Sequence, residues 1–475
     1  MQHSWEKHLQ PPKSLRVPAA AALAALLFVA CFTPCYADDP KPDPAGIATG
    51  DRTTGVDGGG TSFVVSAPTD KSDPDLAKKQ KDFEEFQAQS AKEPLAMKLA
   101  DTVGHVRVAT NFGWTLNTGY LVLFMQAGFA LLTCGLVRKK NAAHLMMLNF
   151  AAYVFAFLAY YAIGFAFQFG AVAVNAAPAN LGGTPTLNAF LLGGGSWGFL
   201  GGKGFFLSGP AYDAGVNCLM LFQVVFMETA GYIIVGATCE RITFGAFLLA
   251  ELFMGAILYP IFGCWVWGGG WLSQRGSTMN LGHGHVDLAG STVVHGVGGF
   301  AAMALAVVLG PRLGKYGPDG RPRPFPAHNL AFVVIGTGII VCFGVLFNER
   351  VVKIDDPCGA ISVHGFCAWF GAVSVGIFAD GNYGAGWNGV GAASYLGHAG
   401  QGVTGLLYGD IRQFLCQLMG ATLSAVWAFG VTFVVFKAVN AVKSMRVAPE
   451  VELEGLDVPE FGLSGHPEDV MAVQS

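Results

Sequence analysis

The sequence predicts an all-α polytopic membrane protein, and three observations carry that prediction. Charged residues make up only 13% of the 475, against roughly 25% in an ordinary soluble domain. They crowd into the ends: 25 of the 60 lie in residues 1–105 and 9 in 441–475, which leaves 26 for the whole of 106–440. Within that middle, apolar runs long enough for a bilayer, about 20 residues, recur eight times. A soluble fold is excluded because its surface would need far more charge. A net charge of −4 with no Lys/Arg stripe excludes a nucleic-acid binder.

Residues 1–37 have the parts of a secretory signal peptide. Lys7, Lys13 and Arg16 form a positive start, Val17 to Phe32 is an apolar run too short to span well, and Cys35-Tyr36-Ala37 precedes Asp38-Asp39. An uncleaved anchor is the alternative; a lipid attachment at Cys31 is weaker, because Phe28-Val29-Ala30 is a poor signal for it. Residues 38–105 form a polar extracytoplasmic segment with 13 Asp+Glu and 8 Lys+Arg. Its early part reads as a linker, and 75–100 as a short exposed helix. Most of the ten cysteines sit in apolar runs, where a thiol is a small hydrophobe and not half of a disulfide framework.

The eight runs are 110–136, 143–170, 215–237, 243–267, 288–310, 329–347, 359–379 and 413–436. Five fall in a first half, 106–312, and three in a second half, 313–440; 441–475 is a cytoplasmic tail. Lys and Arg mark cytoplasmic loops. Arg138-Lys139-Lys140, Arg241, the Arg312–Arg323 loop and the tail with Lys437, Lys443 and Arg446 are therefore inside. The Gly-rich loop 171–214, the loop 268–286 and the Lys/Arg-free loop 380–410 are outside. One run conflicts with this alternation. Run 329–347 leaves from a basic inside loop and ends at Glu349-Arg350 and Lys353, which also look cytoplasmic. A single crossing cannot satisfy both ends.

Two segments repeat each other. Asp287-Leu-Ala-Gly-Ser-Thr-Val-Val-His295-Gly296 and Asp356-Pro-Cys-Gly-Ala-Ile-Ser-Val-His364-Gly365 match at Asp, Gly, Val, His and Gly with equal spacing. Repeated halves with polar groups at mid-membrane are typical of transporters, and an ionisable residue in a span is a functional-site hypothesis by default. Neutral imidazoles donate and accept hydrogen bonds, so His295 and His364 can line a polar thread between apolar walls. Three other readings stay open: satisfied packing histidines, a bis-imidazole haem pair, and a loop metal site at His283-x-His285-x-Asp287. Asp287 opens its helix as an N-cap, compatible with a role at an ion site. Glu228, inside the third run, reads as paired with a neighbour in preference to lying near the path.

These motifs resemble the ammonium transporter family (Amt/Mep/Rh), over nearly all of residues 106–470. Gly128 to Arg138 with Asn141 resembles its first span, although Thr133-Cys134 departs from the usual pair there. Gln223-Val-Val-Phe226 with Gly236 and Glu240-Arg241 resembles its third span, and Trp265-Val-Trp267-Gly-Gly-Gly270 the end of its fourth. Asp287 to Arg312 resembles the fifth, Asp355 to His364 the tenth, and Glu454-Gly-Leu-Asp457 with Glu460-Phe-Gly462 the cytoplasmic end. The resemblance implies an α-helical bundle of two inverted halves, assembled as a homotrimer with one pore per subunit. It implies His295 and His364 as the substrate pathway, Phe226 with Gln223 as the outer gate, and Trp267 with Asp287 as the recognition site, where cation–π attraction suits ammonium. The activity implied is ammonium/ammonia uptake and not catalysis, with no cofactor and no metal. The setting implied is the cytoplasmic membrane, with the N-terminus outside after signal cleavage and a PII-type signal protein as a partner on the inner face.

The family has eleven spans. Phe325-Pro-Ala-His-Asn329 with Gly336 resembles the start of its sixth, and Phe347-Asn-Glu-Arg350 to Asp356 the end of its ninth. The join near 337–346 omits about three spans, near 60 residues or more, and an odd loss explains the two inside ends. The second gate residue of the family has no counterpart here. Two alternatives to a conducting protein stay open: a non-conducting ammonium sensor or regulator, and a defective product of an internal deletion.

Overall fold

The computed structural model describes residues 67–68, 76–175, 187–212, 214–327, 329, 353–384, 388, 402–462 and 465. Seven helices among them are long and apolar enough to cross a membrane: Ala109–Leu136, Lys139–Phe169, Gly215–Thr238, Phe244–Val266, Ser291–Leu309, Ile361–Phe378 and Ile411–Val442. Each falls within a few residues of a predicted run. The eighth run, 329–347, lies outside the described residues apart from Asn329, as does the predicted signal peptide.

The chain enters through α1 (Leu76–Lys92) and α2 (Pro94–Leu136). Proline at the first position suits a helix start, where its missing N–H costs nothing. The helix runs on unbroken for 43 residues, well beyond what a bilayer needs, so polar leader and first span share one rod. Next come α3 (Ala142–Ala159), α4 (Ala214–Thr238) and α5 (Phe244–Phe253), then α6 (Val297–Leu309), α7 (Cys367–Phe378) and α8 (Ile411–Val442). Four of these are extended by wide π-helical turns, at Tyr160–Gly164, Met254–Leu258, Ser291–Gly296 and Ile361–Phe366. Such turns concentrate at functional positions, and the last two carry the repeated histidines.

Side-chain contacts give the directions. Gln126 of α2 donates to Thr229 of α4 while Cys218 of α4 lies against the Phe112 carbonyl, so these two run parallel. The segment entering α7 meets the end of α6, through Asp355 and Arg312. The end of α7 meets the start of α8, through the Ala372 carbonyl and Gln417. Helices α6 and α7 are therefore antiparallel, and α6 and α8 parallel. Asn329, whose N–H donates to the Gly135 carbonyl, and Lys353, whose ammonium reaches the Gly320 carbonyl, both lie at the end where α2 and α6 finish. The conflict read in the sequence is thus visible in its two described ends.

That end is held by a buried charge network. Glu240 accepts from the Arg138 N–H and Nε, both at 2.9 Å, from Asn141 at 2.7 Å, and from Arg312. Arg312 also forks onto Asp355, at 2.9 and 3.0 Å. Glu240 sits at φ +67°, a conformation a non-glycine residue holds only when its surroundings fix it. Burial alone would push its carboxyl up, but Arg312 and Arg138 hold it down to about 2. Asp355 is likewise held low: burial opposes it, and Arg241 and Arg312 prevail.

The tail closes the same end with α9 (Pro449–Glu454) and α10 (Asp457–Phe461). Asp457 accepts from the His144 N–H at 2.8 Å and Glu460 from the Phe244 N–H at 3.2 Å, so the tail's acids cap the starts of α3 and α5. At the opposite end the Gly-rich loop forms a hairpin, β1 (Phe190–Gly194) with β2 (Trp197–Gly201), the one sheet among the described residues. It is pinned to the last turn of the span Phe244–Val266 by Trp265 Nε1 donating to the Phe199 carbonyl, and to the loop after that span by the Trp271 N–H donating to that of Gly198.

Candidate functional site

The repeat builds the same local structure twice. Asp287 Oδ1 accepts from the N–H groups of Gly290 and Ser291, at 2.7 and 2.8 Å. Its Oδ2 accepts from the Thr292 N–H and hydroxyl, both at 2.7 Å, and from the Val293 N–H at 2.9 Å. Asp356 does likewise for the second helix, accepting from the Ile361 N–H and from the N–H and hydroxyl of Ser362. Each aspartate thus gathers amides that a helix start leaves unpaired. Each turn bends through a glycine at positive φ, Gly290 at +92° and Gly359 at +71°, where an L side chain would be strained. Sequence identity between the segments therefore encodes one device: an acid-capped, glycine-hinged wide turn that carries a histidine on its last residues.

The two devices meet. His295 Nδ1 and His364 Nδ1 lie 2.9 Å apart, and the ring planes differ by only 13°. One Nδ1 must carry the proton and the other accept it. The donor ring then has a bare Nε2, and the acceptor ring an Nε2–H. The pair so offers one acceptor and one donor at its far nitrogens without any net charge. The approach depends on Gly299, where an added Cβ would overlap the backbone of His364 and Gly365. The Phe129 ring lies 6.1 Å from His364.

Towards the hairpin end lies an aromatic group. Phe226 and Trp267 meet edge to face at 6.3 Å, and Phe222 packs on Phe226 at 5.1 Å. Trp267 Nε1 donates to the Asp287 carbonyl at 2.6 Å, so the capping residue also fixes the indole. Gln223 is buried one turn from Phe226. The six residues given roles by the resemblance therefore lie on α4, at the end of the span Phe244–Val266, or in the two repeat segments. Histidines and aromatics form two separate contacts, the pair and the Phe226–Trp267 edge.

One sequence reading needs correction, and two of the open alternatives lose support. Glu228 was expected to be paired, but neither of its oxygens has a hydrogen-bond partner among the described residues. The acid facing it from the neighbouring helix is Glu251, also fully buried, so the neighbour is another carboxyl and not a base. The haem alternative fails on distance: nitrogens bonded across one metal ion stand roughly 4 Å apart, twice a metal–nitrogen bond of about 2.0 Å, and these rings are already in direct contact. The loop metal alternative also has no support, because no cluster of three metal-ligating groups occurs among the described residues.

Several contributors were not foreseen. Thr292 donates its hydroxyl proton to Asp287, so at 2.9 Å it accepts from His285 Nε2–H. Burial holds His285 below the ordinary imidazole range against the pull of Asp287, which keeps this relay neutral. On α8, Gln413 accepts from the His283 N–H and donates to the Gly284 carbonyl, while Gln417 does both for Val286. Two glutamines four apart in an otherwise apolar span were the available signal, since an amide in hydrocarbon needs partners.

The sequence model described as Ammonium Transporter Family matches residues 113–351 and 338–466. The chain belongs to the ammonium transporter family. Its two matched segments share residues 338–351, where the join was read. The family member Ammonium transporter Amt2 of Archaeoglobus fulgidus is 34% identical over an alignment of 447 positions that covers 75% of this chain and 88% of the relative. That leaves about ninety positions where the relative continues and this chain has no residue. Ammonium transporter Amt1 of Haloferax mediterranei is 26% identical, with coverages of 76% and 80%. Among solved structures, one titled Sensor Amt Protein superposes with a TM-score of 0.57 at 25% identity, covering 74% of this chain and 98% of that one. Mep2 of Candida albicans superposes at 0.54 and 20% identity, with coverages of 72% and 86%, a likeness of fold.

Proposed function

We propose that this ammonium transporter family member carries ammonium/ammonia inward across the cytoplasmic membrane along a path through His295 and His364. The observation that carries this reading is the direct 2.9 Å contact between the repeat's two imidazoles. A bare cation in hydrocarbon is very costly, whereas ammonia can exchange hydrogen bonds with a neutral pair that presents a donor and an acceptor. Trp267 and Asp287 are read as the recognition site, Trp267 by cation–π attraction and Asp287 by fixing the indole. Phe226, with Gln223 beside it, is read as the gate between that site and the histidines.

The basic end, with Arg138, Arg312 and Arg446, is read as cytoplasmic and the hairpin end as external, with the mature N-terminus outside. A homotrimer and a PII-type regulator on the basic end complete the proposal. A second reading, a non-conducting ammonium sensor, draws on the likeness to the structure titled Sensor Amt Protein. Labelled methylammonium uptake into proteoliposomes separates the two. Saturable binding with no uptake by correctly inserted protein rejects transport, and unchanged uptake in both His295→Ala and His364→Ala removes the pair from the path.

A further inference from the structure

The charge network at the basic end encloses two thiols that no step above uses. Cys239 follows α4, and Cys358 lies in the turn before the His364 segment. Their Sγ atoms stand 3.9 Å apart. Cys239 is fully buried and Cys358 half-buried. The backbone places them: the Cys358 N–H donates to the Gly236 carbonyl at 3.3 Å, and the Cys239 thiol leans on the same carbonyl at 3.4 Å. The Arg241 and Arg312 guanidiniums are close enough to act electrostatically on the Cys239 sulfur.

The separation discriminates between two uses of such a pair. A disulfide needs about 2.05 Å between sulfurs, an approach of the two sulfurs by roughly 1.9 Å. A metal ion bridging the sulfurs in a line, with metal–sulfur bonds of about 2.3 Å, needs roughly 4.6 Å, an opening of only about 0.7 Å. The setting points the same way. At the end read as cytoplasmic, thiols are kept reduced and lasting disulfides are rare. A soft metal displaces the thiol protons itself. No cluster of three ligating groups occurs among the described residues, which fits two-coordination and not zinc. Two thiolates with one monovalent cation carry a net charge of −1, and two arginines stand beside them.

We propose that Cys239 and Cys358 form a two-coordinate site for a soft monovalent cation of the cuprous or silver class. Binding releases two protons and joins two metal–sulfur bonds, with no change of oxidation state. Occupation ties the end of α4 to the segment that positions His364.

Silver ion is the probe, added at one equivalent to purified full-length protein in detergent without oxygen. Native mass spectrometry counts bound silver, competition with thiocyanate gives its affinity, and X-ray absorption counts sulfur neighbours. The expected result is one tight silver with two sulfurs. Cys239→Ser and Cys358→Ser are each expected to lose roughly a hundredfold in affinity, as the double variant does, because a chelate loses its advantage with either arm. Cys367→Ser, whose thiol has no thiol partner among the described residues, keeps wild-type affinity. Single variants within threefold of wild type, or a two-sulfur shell that persists in the double variant, overturn the proposal. Should the serine variants not fold, protection from alkylation in wild type decides: silver must shield the Cys239 and Cys358 peptides together, and alkylation of either at the uncomplexed rate overturns it.

Discussion

The crossing of the two histidine segments yields a sharp asymmetry. Gly299 and Gly365 face each other, but they do not tolerate a methyl group equally. A Cβ on Gly299 would lie 2.6 Å from the Gly365 Cα, against backbone that cannot swing aside. Carbon atoms in contact stand about 3.5–4.0 Å apart, so the segments must separate by roughly 1 Å. The histidine pair at 2.9 Å would then open to nearly 4 Å, beyond hydrogen-bond range. Overpacking of this kind costs about 1–3 kcal/mol. A Cβ on Gly365 meets nothing nearer than 3.6 Å, an ordinary contact. Gly299→Ala should therefore cut methylammonium uptake to the level of His364→Ala and lower the melting temperature in detergent, while Gly365→Ala leaves both near wild type. Equal effects of the two substitutions, or wild-type uptake in Gly299→Ala, would refute the geometry.

Asp287→Ala removes an acceptor of five hydrogen bonds and should cost about 2 kcal/mol, the upper range for an N-cap. Uptake kinetics should show a raised KM because the side chain no longer ties down the turn whose backbone carbonyl holds the Trp267 indole; an unchanged KM would detach Asp287 from recognition. Glu240→Gln breaks a buried network and should cost about 3–5 kcal/mol in thermal unfolding. Because the folded carboxyl of Glu240 is held down to about 2, below its ordinary 4.5, its stabilisation is complete above about pH 4.5 and is lost as pH falls towards 2. The melting temperature of the wild type should decline through that window, and that of Glu240→Gln should decline less. Asp457→Ala uncaps α3 and should cost about 1 kcal/mol, read as a lower melting temperature with α3 still formed.

Much of this arrangement was legible because hydrocarbon leaves few choices. A helix satisfies its own backbone in lipid, so apolar length located seven spans to within a few residues. The histidine pair was legible because two copies of one motif appeared in register. What escaped depended on contacts between distant segments. Nothing local says that Glu228 faces Glu251, since each acid looks alike whether its neighbour is a base or another acid. The hairpin at 190–201 was hidden by its glycines, which weaken strand signals. The unbroken rod from Pro94 was read as two pieces, because composition changes near residue 105 while helix geometry does not.

The two repeat helices are covered unequally. Related segments of a repeat should be covered alike, yet 78% of the apolar stretch of Ser291–Leu309 is buried against 39% of that of Ile361–Phe378. On the second helix Phe370 and Phe378 are exposed among the described residues. In water such a face would invite association, but in a bilayer lipid tails solvate phenylalanine as well as another helix does. Such exposure therefore costs little in apolar burial. Its consequence falls on the polar pair, because His364 stands on the less covered of the two helices. Stability and conduction should consequently come apart in this chain: the bundle can insert and melt as an intact unit while the tightness of its pathway is reduced. Proteoliposomes that hold well-folded protein but leak protons or larger amines are the signature of that separation, and a tight path with family-like selectivity would show that the remaining helices close the wall by themselves.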